Sequence, residues 1–338
     1  MAVPVNRRVT LAARPVGVPQ ESDFAIDEAP VPEPRPGEVL VHNIYVSVDP
    51  YQRGRMSEAR SYAKPLEIGD VVTSQAAGEV VESNDSRFLP GDPVVGQLGW
   101  QEYAVARGGS LRPVDLGLAP LSAYLHVLGT TGFTAYFGLL DVGRPRPGDT
   151  VVVSAAAGGV GQIAGQLAKI AGCRTVGIAG GPEKAEGLRT LFGYEAAIDY
   201  KSEDIAARLR EACPDGVDIY FDNVGGEISA AVHRRLALGG RIVVCGQVST
   251  YSTEGHIERG FDPRRLIVFR ARMEGFLVSD YAHRFAEAEQ RLSRWLKKGE
   301  LRYQEDVTEG LEKAPKAFIG MLQGENRGKA LVKVGGSY

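Results

Sequence analysis

The residues best suited to chemistry lie near the middle of the chain. Val151-Val152-Val153-Ser154 is an apolar, β-branched run, and Ala155-Ala156-Ala157-Gly158-Gly159-Val160-Gly161 follows it directly. A helical pattern then occupies 162–171. Strand, glycine-rich turn and helix in that order place a helix N-terminus under a phosphate, where amide N–H groups and the helix dipole favour an anion. The turn reads Ala156-x-Gly158-x-x-Gly161, a dinucleotide fingerprint with alanine in place of its first glycine.

The strand that follows bears on which dinucleotide. An acidic residue about 20 residues past the glycines ordinarily binds the ribose 2′-hydroxyl of NAD. Here the second strand ends Gly177-Ile178-Ala179-Gly180-Gly181-Pro182-Glu183-Lys184, with no carboxylate at the strand end. Lys184 stands one turn into the next helix, and Tyr200-Lys201 closes the next strand. A carboxylate would repel a 2′-phosphate and a lysine would attract it. One charge-assisted hydrogen bond contributes about 1.5–3 kcal/mol, roughly 10- to 100-fold in affinity. The expected cofactor is NADP(H); the alternative makes Lys184 an ordinary solvated helix residue.

A metal is not expected. Catalytic zinc in a two-domain dehydrogenase would draw Cys and His ligands from the first part of the chain. The first cysteine is Cys173, and His42 and His126 are the only histidines before residue 200. There is no C-x-x-C loop and no Tyr-x-x-x-Lys pair. His233, His256 and His283 carry no argued role. Hydride transfer without a metal suits a conjugated acceptor, whose carbonyl already withdraws charge from the β-carbon. The protein must align the donor and hold the developing enolate oxygen. Tyrosine hydroxyls can do this, and two lie in turn-marked loops: Tyr51 in Asp49-Pro50-Tyr51-Gln52-Arg53, and Tyr251 in Cys245-Gly246-Gln247-Val248-Ser249-Thr250-Tyr251. Either would serve equally as a packing residue.

The whole chain bounds these readings. Its 338 residues exceed what one core holds, so two domains are expected. A net charge of −3 gives no reason to expect nucleic acid or an anionic membrane as partner. No apolar run approaches the ~18 residues of a membrane span. Arg7 and Arg8 precede no apolar core, so no signal peptide is expected. Cys173, Cys213 and Cys245 form no spaced pairs, which suits a reducing, cytoplasmic enzyme.

Two sets of elements must position the candidates. Residues 1–122 read as short strands at turn-punctuated spacing, a small barrel for the substrate side. Its strands are expected at 39–48, at 71–81 as a pair broken by Gly78, at 94–96 and at 102–106. From 123 the period changes, with helices over 123–140 interrupted by Gly129 and Gly132. Strands at 151–154, 174–178, 197–199, 217–222 and 241–245 alternate with helices at 161–171, 182–192, 203–212 (N-capped by Ser202) and 227–238. A strand at 272–278 and a helix at 282–298 complete the series. This is a parallel, doubly wound α/β sheet over 123–299. Residues 300–338, with a helix near 314–322 and a strand at 330–334, are expected to return to the first domain.

With these residues in view, the chain resembles a zinc-free medium-chain dehydrogenase/reductase. It is similar to the group of prostaglandin reductases, leukotriene hydroxydehydrogenases, curcumin reductases and alkenal double-bond reductases. The resemblance runs over nearly the whole chain. It is carried by Val48-Asp49-Pro50-Tyr51-Gln52-Arg53, Gly78-Glu79-Val80-Val81-Glu82-Ser83, Thr134-Ala135-Tyr136-Phe137-Gly138-Leu139, the run 155–161, Phe221-Asp222-Asn223-Val224-Gly225-Gly226, the run 244–251 and Gly324-Glu325-Asn326-Arg327-Gly328-Lys329.

The resemblance implies a Rossmann doubly wound parallel sheet plus a GroES-like β-barrel domain, with the active site in the cleft and a homodimer as the assembly. It implies that Gly158, Gly159, Val160 and Gly161 bind the NADP(H) pyrophosphate and that Lys184 and Tyr200 hold the 2′-phosphate. Asn223, Cys245, Gly246, Ser249, Tyr251, Phe276, Leu277, Val278 and Asn326 would flank the nicotinamide half. Tyr251 would sit near the substrate carbonyl and Tyr51 would be a second pocket tyrosine. The implied activity is NADPH-dependent reduction of the carbon–carbon double bond of a small-molecule α,β-unsaturated ketone or aldehyde, with hydride to the β-carbon. The alternatives are an NADPH quinone reductase and a non-catalytic NADPH-binding protein. Departures from the group's pattern fall at Gln52, where methionine is common, at Gln247, where alanine is frequent, and in the loop 252–262 with His256.

Overall fold

The computed structural model describes residues 5–59, 61, 63–251 and 262–335. His256 and the loop around it lie outside the described residues. The chain divides into two compact units, one running to His126 and resuming at Glu305, the other spanning Val127–Gln304.

The first unit begins with an antiparallel pair that the sequence pattern does not reveal, β1 (Val5–Leu11) and β2 (Phe24–Pro30). Then come β3 (Glu38–Ser47), the single helical turn α1 (Tyr51–Arg55), β4 (Gln75–Ser83), β5 (Pro93–Gln97), β6 (Tyr103–Arg107) and the short β7 (Arg112–Pro113). Gly78 does not break a strand pair as expected. It sits inside β4 opposite Asn43, where the register of β3 shifts. A Cβ at Gly78 would overlap the His42 carbonyl oxygen, so the glycine permits a close crossing of two backbones.

The second unit opens with α2 (Thr130–Phe137). Gly132 lies within α2 rather than interrupting it, because a Cβ there would overlap the Val127 carbonyl of the entering loop. Next come β8 (Thr150–Ser154), α3 (Gly159–Ile170), β9 (Arg174–Ala179), α4 (Pro182–Thr190), β10 (Ala196–Asp199) and α5 (Ile205–Ala212). The expected cap at Ser202 is corrected: Asp204 caps α5, its carboxylate accepting the Ala206 and Ala207 N–H groups. Then follow β11 (Val217–Asp222), α6 (Gly226–His233), β12 (Leu236–Val244), α7 (Arg264–Phe269), β13 (Arg272–Gly275) and α8 (Phe285–Lys297). The helix expected to reach 238 stops at His233, because Leu236 already pairs with Val217 in the sheet.

All six strands run parallel in the order β10-β9-β8-β11-β12-β13. That is the 3-2-1-4-5-6 order of a Rossmann sheet, whose ligand crevice opens where the order reverses, between β8 and β11. Every residue of β8 is buried, as a central strand covered on both faces requires. Val151, Val152 and Val153 are each fully buried, a contribution of about 1.5–3 kcal/mol apiece.

The chain then returns to the first unit as β14 (Glu305–Glu309), α9 (Ala314–Leu322) and β15 (Lys329–Lys333). These extend the sheet to β14-β15-β3-β4-β5-β7, with β6 also paired to β3, a GroES-like architecture. Phe318 of α9 packs edge-on against Trp100 and Phe24, so the last segment completes a core begun by the first.

Candidate functional site

The glycine turn is shaped by one residue that is not glycine. Ala155 adopts a left-handed φ of 47°. Its carbonyl accepts the Gly158 N–H at 2.9 Å, while the Ala156 N–H donates to the Ile178 carbonyl of β9 at 3.0 Å. The two fingerprint glycines differ in what surrounds them. A Cβ at Gly161 would overlap the Ala155 carbonyl and lie 2.6 Å from Ala156 Cα, so only glycine lets α3 pack against the end of β8. At Gly158 the nearest atom would be the Ala155 oxygen at 3.2 Å, with the other side open. Tyr194, which sequence reasoning missed, locks the turn from behind: its buried hydroxyl donates to the Gly161 carbonyl at 2.8 Å. Gly165, four residues past Gly161, leaves room for that ring. The amides of the first turn of α3 therefore point to the end of β8 on a rigid support.

At the far side of β9 the strand ends in Ala179 with no carboxylate, as read from the sequence. A carboxylate nevertheless reaches the turn from the neighbouring strand. Asp199, the last residue of β10, is buried and accepts the Gly181 N–H at 2.6 Å. The same oxygen accepts the Lys201 N–H at 3.0 Å, and the second oxygen accepts the Ser202 hydroxyl at 2.7 Å. These bonds draw its pKa down against the opposing effect of burial. Its oxygens are thus engaged by protein donors, as those of an acid serving an NAD ribose would not be. Lys184 stands in the first turn of α4, half-buried, and Tyr200 is 39% exposed. Gly180 lies against the Tyr200 ring and the Lys201 stem. The sequence signal for Asp199 is its place two and three residues before Lys201 and Ser202, the spacing of an Asx turn.

At the switch point the ends of β8 and β11 are tied together. The Asn223 side-chain NH₂ donates to the Ser154 carbonyl at 2.7 Å, and its backbone N–H donates to Ser154 Oγ at 2.9 Å. Asp222 beside it is buried and accepts from Tyr220, Ser229, Val224 N–H and Gly225 N–H. The loop after β12 follows the same path. Cys245 and Gly246 donate to the Asp222 carbonyl, Val248 to that of Asn223 and Ser249 to that of Val224. Gly225 and Gly226, at φ 77° and 59°, let the side chains of Gln247 and Ser249 lie over them. Gln247, a departure from the group's pattern, fills that surface.

The structure brings most of the expected nicotinamide residues together here. Tyr251 curls back so that its hydroxyl oxygen accepts the Gln247 N–H at 3.4 Å and stands close to Gly246. Burial raises the Tyr251 pKa, keeping the phenol protonated and able to donate. The Ser249 hydroxyl is engaged by the Val224 carbonyl at 2.6 Å and acts within the loop pair. Burial, with Asp222 nearby, pushes the Cys245 thiol up to about 12, which keeps it an unreactive thiol. Phe276 packs between Gly138, Phe221 and Tyr281, and Leu277 is 39% exposed beside Val278.

Tyr51 and Asn326 belong to the first unit. Tyr51 starts α1, and the step before it is held firmly. Asp49 pairs with buried Lys329 at 3.0 Å and accepts from Ser47 at 2.5 Å. The Asp49 N–H donates to Gln52 Oε1 at 2.8 Å. Fully buried Gln52 also donates to the Thr73 carbonyl at 2.8 Å, so this departure belongs to the scaffold. The Asn326 side chain donates to the Gly328 carbonyl at 2.6 Å within its own turn.

A family profile described as the N-terminal domain of oxidoreductases matches residues 7–114, and one described as zinc-binding dehydrogenase matches 159–294. The NADPH-dependent curcumin reductase of Escherichia coli is 44% identical over 98% of this chain and 97% of its own. The NADP⁺-dependent 2-alkenal reductase of Nicotiana tabacum is 42% identical over 97% of each. The chain belongs to the zinc-free branch of the medium-chain dehydrogenase/reductase family. The crystal structure of CurA from Vibrio vulnificus in complex with NADPH superposes with a TM-score of 0.93 at 42% identity, covering 98% of this chain and all of that one. The second profile's description names zinc; among the described residues no group of three or more His, Cys, Asp or Glu is placed to hold a metal ion. Cys173 and Cys213 are separately buried, and their thiols are pushed up to about 11 by burial.

Proposed function

We propose that this medium-chain dehydrogenase/reductase catalyses the NADPH-dependent reduction of the carbon–carbon double bond of α,β-unsaturated ketones and aldehydes. The observation that carries the reading is near full-length identity above 40% to a curcumin reductase and a 2-alkenal reductase, each named for NADP(H) dependence. The glycine cradle fits a dinucleotide, and the β9 end, where no acid is available to a ribose hydroxyl, fits one carrying a 2′-phosphate.

When bound, NADP(H) supplies the hydride that reaches the β-carbon. The chain's own residues do the rest. Gly158, Gly159, Val160 and Gly161 would cradle the pyrophosphate, and Lys184 and Tyr200 would hold the 2′-phosphate. Asn223, fixed by Ser154, the 245–251 loop, Phe276, Leu277, Val278 and Asn326 would orient the nicotinamide half. Tyr251 Oη, which stays protonated, donates to the oxygen that becomes an enolate. Tyr51 serves the substrate side. In this reading the first unit is the substrate domain and the second the nucleotide domain.

The same reading holds the protein to be a cytoplasmic homodimer. Cys173, Cys213 and Cys245 are free thiols, as a reducing compartment favours. β13 ends the parallel sheet, and neighbouring α7 exposes Ile267 and Val268 at 78% and 65%, apolar surface that a second copy would cover. No described helix is long and apolar enough to cross a membrane.

The test is NADPH oxidation against a panel of enones, 2-alkenals and quinones, with product analysis. Turnover of the enones and alkenals to saturated carbonyls is expected. Turnover confined to quinones, or NADPH binding without any turnover, overturns the reading.

A further inference from the structure

Asp199 joins two turns that the chain makes separately. Its donors come from Gly181, which caps α4 at φ 97°, and from Lys201 and Ser202 after β10. Gly181 begins the helix that carries Lys184, and Tyr200 stands between Asp199 and Lys201. The turns also touch directly: a Cβ at Gly180 would lie 2.9 Å from Tyr200 Cε1 and 3.0 Å from Lys201 Cε. Asp199 is itself fixed, because its N–H donates to Glu203 Oε2 at 2.7 Å and its carbonyl accepts the Glu203 N–H at 2.9 Å.

We infer that Asp199 is a positioning residue for nucleotide choice, holding the turn that launches Lys184 and the turn that bears Tyr200 in one register so that both meet the same 2′-phosphate. Asp199 does not touch the phosphate. An open carboxylate beside an anion would repel it. This one is turned inward and surrounded by three donors, so its charge is answered within the protein. A carboxylate suits the task because two oxygens must accept from two amides and a hydroxyl. Asparagine is the nearest substitute: its single oxygen can still accept both amides, and its NH₂ can donate to Ser202 Oγ.

This inference rests on the NADP(H) reading, and its test separates the two. NADPH and NADH are titrated against the full chain by intrinsic and nicotinamide fluorescence, without substrate, alongside thermal melts. Asp199→Ala is expected to raise the NADPH dissociation constant about tenfold or more and the NADH constant by less than about threefold. Asp199→Asn is expected to restore NADPH binding to within about threefold of wild type. A merely structural role would weaken both nucleotides alike, so equal losses overturn the inference, as does an Asp199→Asn variant no better than alanine. Should Asp199→Ala fail to fold, Ser202→Ala carries the comparison: a loss of about threefold for NADPH alone supports the inference, and a loss shared by both nucleotides overturns it. Lys184→Ala is run in parallel. Selective loss of NADPH there with unselective loss at Asp199 removes this inference alone. Unselective loss at Lys184 removes the NADP(H) reading and this inference with it.

Discussion

Asn223 is bound twice to Ser154, through its side-chain NH₂ to the carbonyl at 2.7 Å and through its backbone N–H to the hydroxyl at 2.9 Å. The pair bridges β8 and β11 where the strand order reverses, the point at which a doubly wound sheet opens its ligand crevice. Ser154 is fully buried, so its hydroxyl is shielded from bulk solvent. Ser154→Ala leaves the Asn223 N–H without this acceptor and should cost about 1–3 kcal/mol of stability. Urea unfolding checks the loss, and NADPH titration should show weaker binding as Asn223 loses one of its two ties to Ser154.

The two fingerprint glycines should separate stability from binding. Gly161→Ala drives a Cβ into the backbone of Ala155 and Ala156, an overpacking cost of about 1–3 kcal/mol. Its melting temperature should fall. Gly158→Ala meets only one atom at 3.2 Å at an ordinary negative φ, so its melting temperature should stay near wild type. Its NADPH affinity should drop, since the second fingerprint glycine is the one that lets the backbone approach a pyrophosphate.

Tyr251→Phe removes a hydroxyl that accepts a long hydrogen bond from the Gln247 N–H at 3.4 Å. The NADPH dissociation constant should hold, while kcat on an enone should fall about 10²-fold, the scale of one lost oxyanion donor. Wild-type kcat in that variant would take Tyr251 out of the mechanism.

Lys329 pairs with Asp49 behind the Asp49-Pro50-Tyr51 step and also donates to the carbonyls of Val48 and Ala330. Its side chain is 3% exposed. Lys329 is buried while Asp49 is half-buried, so Lys329→Met leaves Asp49 and the Val48 and Ala330 carbonyls without this donor and should lower stability by about 1–3 kcal/mol. A double variant with Asp49→Asn should recover part of that loss, which a double-mutant cycle would measure.

His233 gives acid sensitivity. Burial lowers its pKa from 6.5 to about 4, Asp222 opposing in part, and its ring packs edge-on to Tyr220. The folded protein keeps it neutral, whereas the unfolded chain protonates it below about pH 6.5. Its contribution is therefore complete above that pH and is lost as pH falls toward 4, with a slope of up to about 1.4 kcal/mol per pH unit. In His233→Gln, stability against pH should be flatter between pH 6.5 and 4 in denaturant titrations.

Much of the fold was legible locally. The β-branched runs and the change of period near residue 123 mark a strand–helix series, because burial on both faces of a parallel strand leaves a continuous apolar signature. The fingerprint and the missing acid after Ala179 are equally local. The hairpin β1–β2 was not legible, since Phe24-Ala25-Ile26-Asp27-Glu28 lacks a continuous apolar run and gains its place by pairing with Val5–Leu11.

By itself the sequence determined the repeating α/β pattern, the glycine turn with its anion-binding helix and the residue types near a 2′-phosphate. The tertiary structure alone decided that Gly78 and Gly132 are crossing points rather than breaks. It also ended α6 at His233, made Gln52 part of the scaffold and brought Asp199 from β10 to serve the turn after β9. The physical reason is common to all of these. Periodicity records how each residue is buried, whereas the contact of a Cβ with a distant carbonyl, or of a carboxylate with another strand's turn, exists only once the strands are set side by side.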